Sequence, residues 1–222
     1  AVFGSSAELA LGTLVTFVAV HVAVAAVLAL PLVISLQRSL RHSQLVAEAS
    51  VDAKTGLLND RTWRRRAAEA VEQAVREGAP VAVGILDIDH FKAVNDTHGH
   101  LVGDKTLRAV TDALQSQLRN YDLAGRFGGE EFVILLPHAR EVDALNVAER
   151  LRAHIAAMSV PVGDDPESGA AVRVTISVGV SSLDGTTREL TDMLAAADAA
   201  LYYAKETGRN KTHVSPASAP AS

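Results

Sequence analysis

The distribution of apolar residues divides the chain into two unlike parts. Residues 9–36 are almost wholly apolar and contain no Asp, Glu, Lys or Arg. A helix of about 20 apolar residues can cross a bilayer, and this run exceeds the apolar core of about 7–15 residues found in signal peptides. We therefore expect residues 1–36 to form a membrane-spanning segment. A buried helix of another domain and a cleaved signal peptide are the alternatives.

The residues after this run predict how the chain continues. Arg38 and Arg41 follow it directly, and excess positive charge marks the cytoplasmic side of a membrane span. We expect anchoring in the inner (cytoplasmic) membrane, with the remainder of the chain in the cytoplasm. Residues 37–50 contain no Pro or Gly. Their imperfect 3-4 spacing of apolar and small residues is compatible with a helical signalling linker that pairs two subunits.

Beyond residue 50, helical and strand patterns alternate. Val81 to Leu86 form an apolar run typical of a buried central strand. Residues 172–180 alternate with period two, which predicts a strand with one strongly buried face. Apolar stripes at helical spacing are formed by Leu107, Val110, Leu114 and Leu118, by Leu145, Ala148, Ile155 and Met158, and by Leu190, Leu194, Ala197, Leu201 and Ala204. The order predicts an α/β (α+β) sandwich over residues 51–213, with helices flanking a mostly antiparallel sheet. Residues 214–222 are predicted to be a disordered tail or linker.

Composition and charge exclude several classes of function. The chain has no cysteine, which excludes disulfides, metal thiolates and thiol nucleophiles. Its net charge is -5. Charges of both signs are interspersed without a basic stripe, so polymeric nucleic acid is not an expected partner. The basic run from Arg61 to Arg66 is interpreted as the exposed face of a helix. Its apolar stripe comprises Trp63, Ala67, Ala70, Val71 and Ala74.

Two acidic clusters are candidates for chemistry. Gly128-Gly129-Glu130-Glu131-Phe132 lies between apolar strand-forming segments and predicts a tight hairpin. A solvated hairpin tip is one interpretation. However, Asp87-Ile88-Asp89 follows the predicted central strand, and ligands bind where the strands of an open α/β sheet end. If the hairpin pairs beside this strand, Asp87 and Glu130 converge in an oxygen-rich site suited to Mg²⁺ and phosphates.

These clusters and four further motifs resemble the ordered motif set of the GGDEF diguanylate cyclases. The motifs span residues 52–211 and are Asp52-Ala53-Lys54-Thr55-Gly56-Leu57-Leu58-Asn59, Asp87-Ile88-Asp89-His90-Phe91-Lys92, Asn95-Asp96, Gly99-His100 with Gly103-Asp104, Gly128-Gly129-Glu130-Glu131-Phe132, and Tyr203 to Lys211. The resemblance implies a palm-like nucleotidyl cyclase fold. It also implies that two GTP molecules condense into cyclic di-GMP with release of pyrophosphate, on a homodimer, with Mg²⁺ as cofactor or Mn²⁺ in its place.

The resemblance also implies roles for individual residues. Metal binding falls to Asp87, Glu130 and the backbone carbonyl of Ile88. Glu131 is a second-metal ligand or a proton acceptor, and those two roles stay open. Lys92 meets phosphate charge, while Lys205 and Arg209, four residues apart, are expected to share one helical face and hold the terminal phosphate. Guanine and nucleotide contacts are implied for Asn95, His100 and Asp104, although His100 could equally make a structural hydrogen bond.

Arg119-Asn120-Tyr121-Asp122 resembles the family's RxxD inhibitory site for the product, to which Arg150 is a further candidate. A helix end followed by a turn would explain the same residues. Two positions depart from the family pattern: Lys54 stands where Leu is usual, and Glu130 stands where the family name has Asp. A catalytically silent nucleotide-sensing module and a purely structural dimerisation segment are the alternative functions.

Overall fold

Helices and strands alternate through most of the described chain. The computed structural model describes residues 17, 21, 27, 29–30, 50–163, 170–183 and 189–215. The helices are α1 (Asp60–Glu77), α2 (Phe91–His98), α3 (His100–Gln117), α4 (Glu141–Ala157) and α5 (Leu190–Glu206). The strands are β1 (Leu58–Asn59), β2 (Val81–Ile88), β3 (Leu123–Gly128), β4 (Glu131–Pro137), β5 (Val160–Pro161), β6 (Ala171–Val172), β7 (Ile176–Ser182) and β8 (Thr212–Val214).

The main sheet is mixed rather than mostly antiparallel, which corrects the prediction. Its six strands have the order β1-β3-β4-β2-β7-β8. The inner strands β3, β4, β2 and β7 pair antiparallel, whereas β1 on β3 and β8 on β7 pair parallel. The parallel edge strands are only 2 and 3 residues long, too short to show a period. Strands β5 and β6 form a separate antiparallel pair.

Helices cover both faces of this sheet. On one face, Leu86, Phe132 and Ile134 belong to a core that also contains Leu107 of α3 and Leu151 of α4. The opposite core contains apolar residues of α1, α5, β2 and β4, among them Trp63, Val71, Val83, Ile85, Val133, Leu135, Met193 and Leu201. β2 is buried along its whole length, as its unbroken apolar run predicted.

Helix α1 confirms the interpretation of the basic run. Trp63, Ala67, Val71 and Ala74 are buried, whereas the arginines of that run are exposed. Asn59 caps the helix by accepting a hydrogen bond from the Thr62 N–H. The stripe therefore reported the buried face correctly.

The single strand predicted over residues 172–180 is wrong. β6 ends at Val172, residues 173–175 are irregular, and β7 is buried on both faces. One of its positions is Gly179, whose lack of a side chain allows α5 to pack closely. A Cβ atom on Gly179 would lie 2.0 Å from the Ala197 carbonyl oxygen, so the helix backbone rests against the strand. The polar residues Ser177 and Ser181 can be buried in β7 because their hydroxyl groups donate to Asp89 and to the Met193 carbonyl oxygen.

The N-terminal part forms a unit of its own. Ala1–Ala49 and Ser50–Ser222 are separate compact units. In the first unit, the described residues Phe17, His21, Val27, Ala29 and Leu30 are helical and exposed. The predicted membrane-spanning segment lies almost entirely outside the described residues, as do the linker up to residue 49 and the tail from residue 216. Within the described part of the chain, no helix has the length and apolar character needed to cross a membrane.

Candidate active site

The two acidic clusters meet at one end of the sheet. β4 pairs antiparallel with β2, and this pairing places Glu131 directly opposite Asp87. Such opposite residues have Cβ atoms about 4.5–5.5 Å apart. The Ile88 N–H donates to the Glu130 carbonyl oxygen at 3.3 Å, so Glu130 lies beside Ile88. The predicted pairing of the hairpin strand with the central strand is confirmed.

The hairpin that carries the two glutamates depends on its glycines. β3 ends at Gly128 and β4 begins at Glu131, so Gly129 and Glu130 form the turn. Gly128 and Gly129 have φ angles of 153° and 49°, and the latter is left-handed backbone that favours glycine. A Cβ atom at either glycine would meet nothing within 4 Å. Backbone conformation rather than crowding therefore requires glycine here.

The carboxylates of Asp87 and Glu131 repel each other at this edge of the sheet. Burial raises the pKa of Asp87, and the Lys205 ammonium group opposes that rise from 2.9 Å away. Burial also raises the pKa of Glu131, and the charge of Asp87 raises it further. Because like charges disfavour each other's ionisation, a cation bound between these groups would stabilise both carboxylates.

Lys205 and Arg209 do not share a helical face, which corrects that expectation. Helix α5 ends at Glu206, and Arg209 lies in the following turn with a φ angle of 57°. Its backbone N–H still donates to the Ala204 carbonyl oxygen at 3.0 Å. Both cations nevertheless lower the pKa of Asp87 against the effect of burial, so both lie near the carboxylate.

Asp89 has a structural role, although it belongs to the same acidic motif. Its carboxylate accepts hydrogen bonds from Thr175 Oγ1 at 2.6 Å and from Ser177 Oγ at 2.7 Å. The Asn210 N–H donates a third at 3.0 Å. Asp89 thereby ties the end of β2 to the residues before β8, and it is buried. These partners lie far away in sequence, so the motif gave no sign of them.

Arg126 is a second residue whose role the sequence did not reveal. Its Nη1 lies 2.9 Å from Asp52 Oδ1, and its Nε donates to the Gly129 carbonyl oxygen at 3.2 Å. Asp52 also accepts hydrogen bonds from Thr55. Burial alone would raise the pKa of Asp52, but the hydrogen bonds from Thr55 and Arg126 outweigh burial and lower it. Arg126 therefore fastens the hairpin tip to the turn before β1.

The residues assigned to guanine lie together at the α2–α3 corner. Asn95 packs against Gly103, where an added Cβ atom would lie only 2.0 Å from the Asn95 Oδ1 atom. Asp104 follows Gly103 in the first turns of α3 and is half-buried. The Lys54 Nζ atom lies 2.7 Å from Asp104 Oδ1. The carboxylate proposed to read the base is thus already paired with a cation.

Two further predicted residues are exposed near these elements. Lys92 lies in the first turn of α2, and His100 is the first residue of α3. Neither is buried, so both are available to solvent and to a ligand. The structure gives His100 no buried structural role.

Two residues of the candidate inhibitory site, Arg119 and Asp122, line a separate cavity, whereas the Arg150 guanidinium donates to the Gln117 carbonyl oxygen at 2.9 Å. The cavity has a volume of about 390 Å³, and Arg66 is also among its lining residues. The Arg119 N–H donates to Asp122 Oδ2 at 2.8 Å, and the Arg119 guanidinium donates to the Tyr121 hydroxyl. Burial raises the pKa of Asp122, while Arg119 and Arg150 act against the rise. The segment is therefore both a turn after α3 and part of a cationic cavity.

The oxygen donors at the sheet edge fit a hard divalent cation whose coordination is completed by a substrate. Among the described residues, no group of three or more His, Asp or Glu side chains is arranged to hold a metal by itself. Mg²⁺ is commonly held by one or two carboxylates together with substrate phosphates and water. The crowded carboxylates of Asp87 and Glu131, with Glu130 adjacent, supply oxygen donors of that kind.

Comparison with known proteins identifies the family. Residues 49–211 match the family described as "Diguanylate cyclase, GGDEF domain". The chain is 40% identical over 175 residues to the response regulator PleD of Caulobacter vibrioides. That alignment covers 79% of this chain and 37% of PleD, so the chain spans well under half of this relative. This chain belongs to the GGDEF domain family.

Solved structures have the same fold. The GGDEF domain of DgcB from Caulobacter crescentus, in complex with c-di-GMP, superposes with a TM-score of 0.71 at 27% identity, covering 77% of this chain and 95% of that one. The active GGEEF domain of a diguanylate cyclase from Vibrio cholerae gives 0.67 at 31% identity, covering 73% and 99%. The second of these names carries the signature found at residues 128–132 of this chain.

Proposed function

We propose that this chain is a diguanylate cyclase that condenses two GTP molecules into cyclic di-GMP. The observation that carries the proposal is the placement of Asp87 opposite Glu131, with Lys205 at 2.9 Å from Asp87, at the end of the central strand. Carboxylates beside cations form the kind of site that phosphoryl transfer requires. Membership of the GGDEF family and the similarity to the Vibrio cholerae domain, which is named as part of a diguanylate cyclase, support the same activity.

The reaction consists of two equivalent transfers. In each, the ribose 3′-oxygen of one GTP bonds to the α-phosphorus of the other, and the bond from that phosphorus to the bridging oxygen breaks. Pyrophosphate leaves with the electron pair, and the hydroxyl proton passes to a base. After both transfers, two GTP have given one cyclic di-GMP and two pyrophosphates. The protein must therefore accept a proton and align two nucleotides.

Glu131 is our candidate for the proton acceptor. Its carboxylate lies opposite Asp87 at the strand end, where it could accept the hydroxyl proton beside the metal and the phosphates. Lys205, Arg209 and Lys92 would bind the phosphate oxygens. Mg²⁺, or Mn²⁺ in its place, would be held by Asp87, Glu130 and the Ile88 carbonyl, and would supply charge neutralisation at the phosphates.

Guanine would be recognised at the α2–α3 corner. The Asn95 amide can accept from and donate to the base, and the Asp104 carboxylate can accept from guanine N1–H and N2–H. Adenine has no N1–H or 2-amino group, so it would leave Asp104 without those donors. The contact between Asn95 and Gly103 supports this assignment because it holds the amide beside Asp104.

The cavity lined by Arg119 and Asp122 is proposed to bind the product. Arginine forks suit phosphates and the guanine edge that carries O6 and N7, and Asp122 can accept from guanine N–H groups. The charged residues that line the cavity support its role as an inhibitory site, and Arg150 would contribute to that site. Bound product would slow turnover if it favoured an arrangement that keeps two active sites apart.

Assembly and location complete the proposal. Each domain would supply one GTP, so ring closure requires a homodimer, which light scattering of the purified chain would detect. The apolar run of residues 9–36 supports anchoring in the inner membrane with the catalytic domain in the cytoplasm. Fractionation of cells that express the chain tests this location, and recovery in the soluble fraction would contradict it.

The activity is tested by incubating the purified chain with GTP and Mg²⁺ and identifying the products by mass spectrometry. Cyclic di-GMP and two equivalents of pyrophosphate are expected. Binding of GTP without any product would instead support the alternative of a silent sensing module. If the chain bound neither GTP nor cyclic di-GMP, both the cyclase activity and the sensing module would be contradicted.

A further inference from the structure

The ion pair between Lys54 and Asp104 joins two parts of the chain that are 50 residues apart. Lys54 Nζ lies 2.7 Å from Asp104 Oδ1. The side chains are 54% and 30% exposed, so both are open to a ligand. An exposed pair of this kind contributes little stability on its own. Because Lys54 pairs with Asp104, the carboxylate proposed to recognise guanine, the lysine could itself take part in that recognition.

The turn that carries Lys54 is held firmly. Asp52 Oδ1 accepts hydrogen bonds from the backbone N–H groups of Lys54 and Thr55, at 3.2 and 3.0 Å. The same atom pairs with Arg126 at 2.9 Å, and the Gly56 N–H donates to the Asp52 carbonyl oxygen at 2.8 Å. Lys54 therefore extends from a fixed base towards Asp104, which limits the ordering required when a ligand binds.

The chemistry of the guanine edge matches this pair of charges. The edge presents the N2 amino group, N1–H and the O6 acceptor side by side. A carboxylate satisfies the two donors, and a lysine ammonium group has three N–H donors, of which Asp104 occupies one. If the Asp104 oxygen that pairs with Lys54 accepts from guanine N1–H, the Lys54 ammonium group would lie next to guanine O6. Adenine presents an amino group at that position, which a second donor would repel.

We infer that Lys54 is a specificity-determining residue that donates to guanine O6 while Asp104 accepts from N1–H and N2–H. The inference rests on the proposed function, because it assumes that the substrate base is bound at Asp104. Lys54 stands where the family usually has Leu, and a leucine side chain could not make this contact. It would strengthen GTP binding and the preference for GTP over ATP without taking part in the chemical step.

The test measures binding to the whole chain with nucleotides that cannot react. The probes are 3′-deoxy-GTP and its 6-thio analogue, in which sulfur, a weaker acceptor, replaces O6. The wild-type chain should prefer the oxygen form, and Lys54→Met should lose about tenfold in affinity for that form, the equivalent of one charged hydrogen bond. In Lys54→Met the two probes should bind about equally.

Matched variants separate this role from general charge effects. Lys54→Arg keeps a donor and should keep the preference for oxygen. Arg65→Met removes one cation from an exposed ion pair with Glu69 and should change neither affinity. Unchanged or tighter binding of 3′-deoxy-GTP to Lys54→Met, or a preference for oxygen that persists in it, would overturn the inference. If the binding pattern holds but no cyclic di-GMP forms from GTP, the proposed activity fails and the base contact stands.

Discussion

Asp87 and Glu131 lie directly opposite each other on the antiparallel strands β2 and β4. Burial raises the pKa of both carboxyl groups, and each is affected by the Lys205 ammonium group, which opposes the rise. Two acids and a cation at one strand end have no packing value that apolar residues could not supply better. The proposed binding of a phosphate-bearing nucleotide together with a divalent cation would account for their arrangement.

Glu131→Gln should separate catalysis from binding. The amide keeps the size of the side chain but accepts a proton poorly, so turnover should fall about 10²–10⁴-fold, as expected for loss of a general base. Affinity for 3′-deoxy-GTP should change little. Single-turnover kinetics and equilibrium binding measure the two quantities. Equal losses in both would point to a metal ligand instead of a base.

Asp52→Asn should reduce stability in a manner that depends on pH. Asp52 has a lower pKa in the folded chain than its ordinary value of 3.8. Its charge therefore stabilises the fold above that value, and the contribution is lost as pH falls through the folded pKa. We expect the free energy of unfolding at pH 7 to fall by about 1.5–3 kcal/mol, measured by urea denaturation.

The matched control for this prediction is Asp60→Asn. Asp60 pairs with Arg64 at 2.6 Å on the exposed face of α1, and such helix pairs contribute about 0.3–0.5 kcal/mol. A loss for Asp52→Asn no larger than that of the control, or one that does not shrink in acid, would refute the role given to the Arg126–Asp52 pair.

Gly103→Ala should weaken GTP binding without unfolding the domain. The new Cβ atom would lie 2.0 Å from Asn95 Oδ1 and would displace the amide. Helix propensity favours alanine by about 1 kcal/mol, which offsets part of the strain. KM for GTP should rise about tenfold. The effects of Gly103→Ala and Asn95→Ala should not add, because both act through one contact; full additivity would contradict this.

Arg119→Ala should relieve inhibition by the product. The substitution removes one cation from the cavity that contains Asp122, so added cyclic di-GMP should slow the variant much less than the wild type while initial rates stay similar. Arg65→Ala, on the exposed face of α1, serves as the control and should remain inhibited. Inhibition of equal strength in all three proteins would reduce Arg119 and Asp122 to parts of a turn.

The sequence revealed those parts of the site that are contiguous in the chain. The apolar run before Asp87 and the glycines before Glu130 have local patterns, so the strand, the hairpin and their pairing could be predicted. The clamp on Asp89 could not, because Thr175 and Ser177 are 86 and 88 residues away. Pairs of this kind have no periodicity, and only the folded sheet brings them together.

Two other errors have physical causes. The spacing of Lys205 and Arg209 is helical, but α5 ends at Glu206 and the chain turns through Gly208, whose φ is 116°. Spacing predicts a shared face only while the helix continues. The parallel edge strands β1 and β8 were missed because strands of 2 and 3 residues cannot display alternation. Their pairing makes the sheet mixed.

The central claim is tested most directly by the products that the wild type and Glu130→Gln form from GTP and Mg²⁺. Mass spectrometry should detect cyclic di-GMP from the wild type and from the control Glu72→Gln. Glu72 pairs with Arg76 at 3.8 Å on the exposed face of α1. Glu130→Gln should remain folded by circular dichroism and form almost none, because it lacks a charge needed for the metal. Wild-type amounts of product from Glu130→Gln, or none from the wild type, would contradict the account.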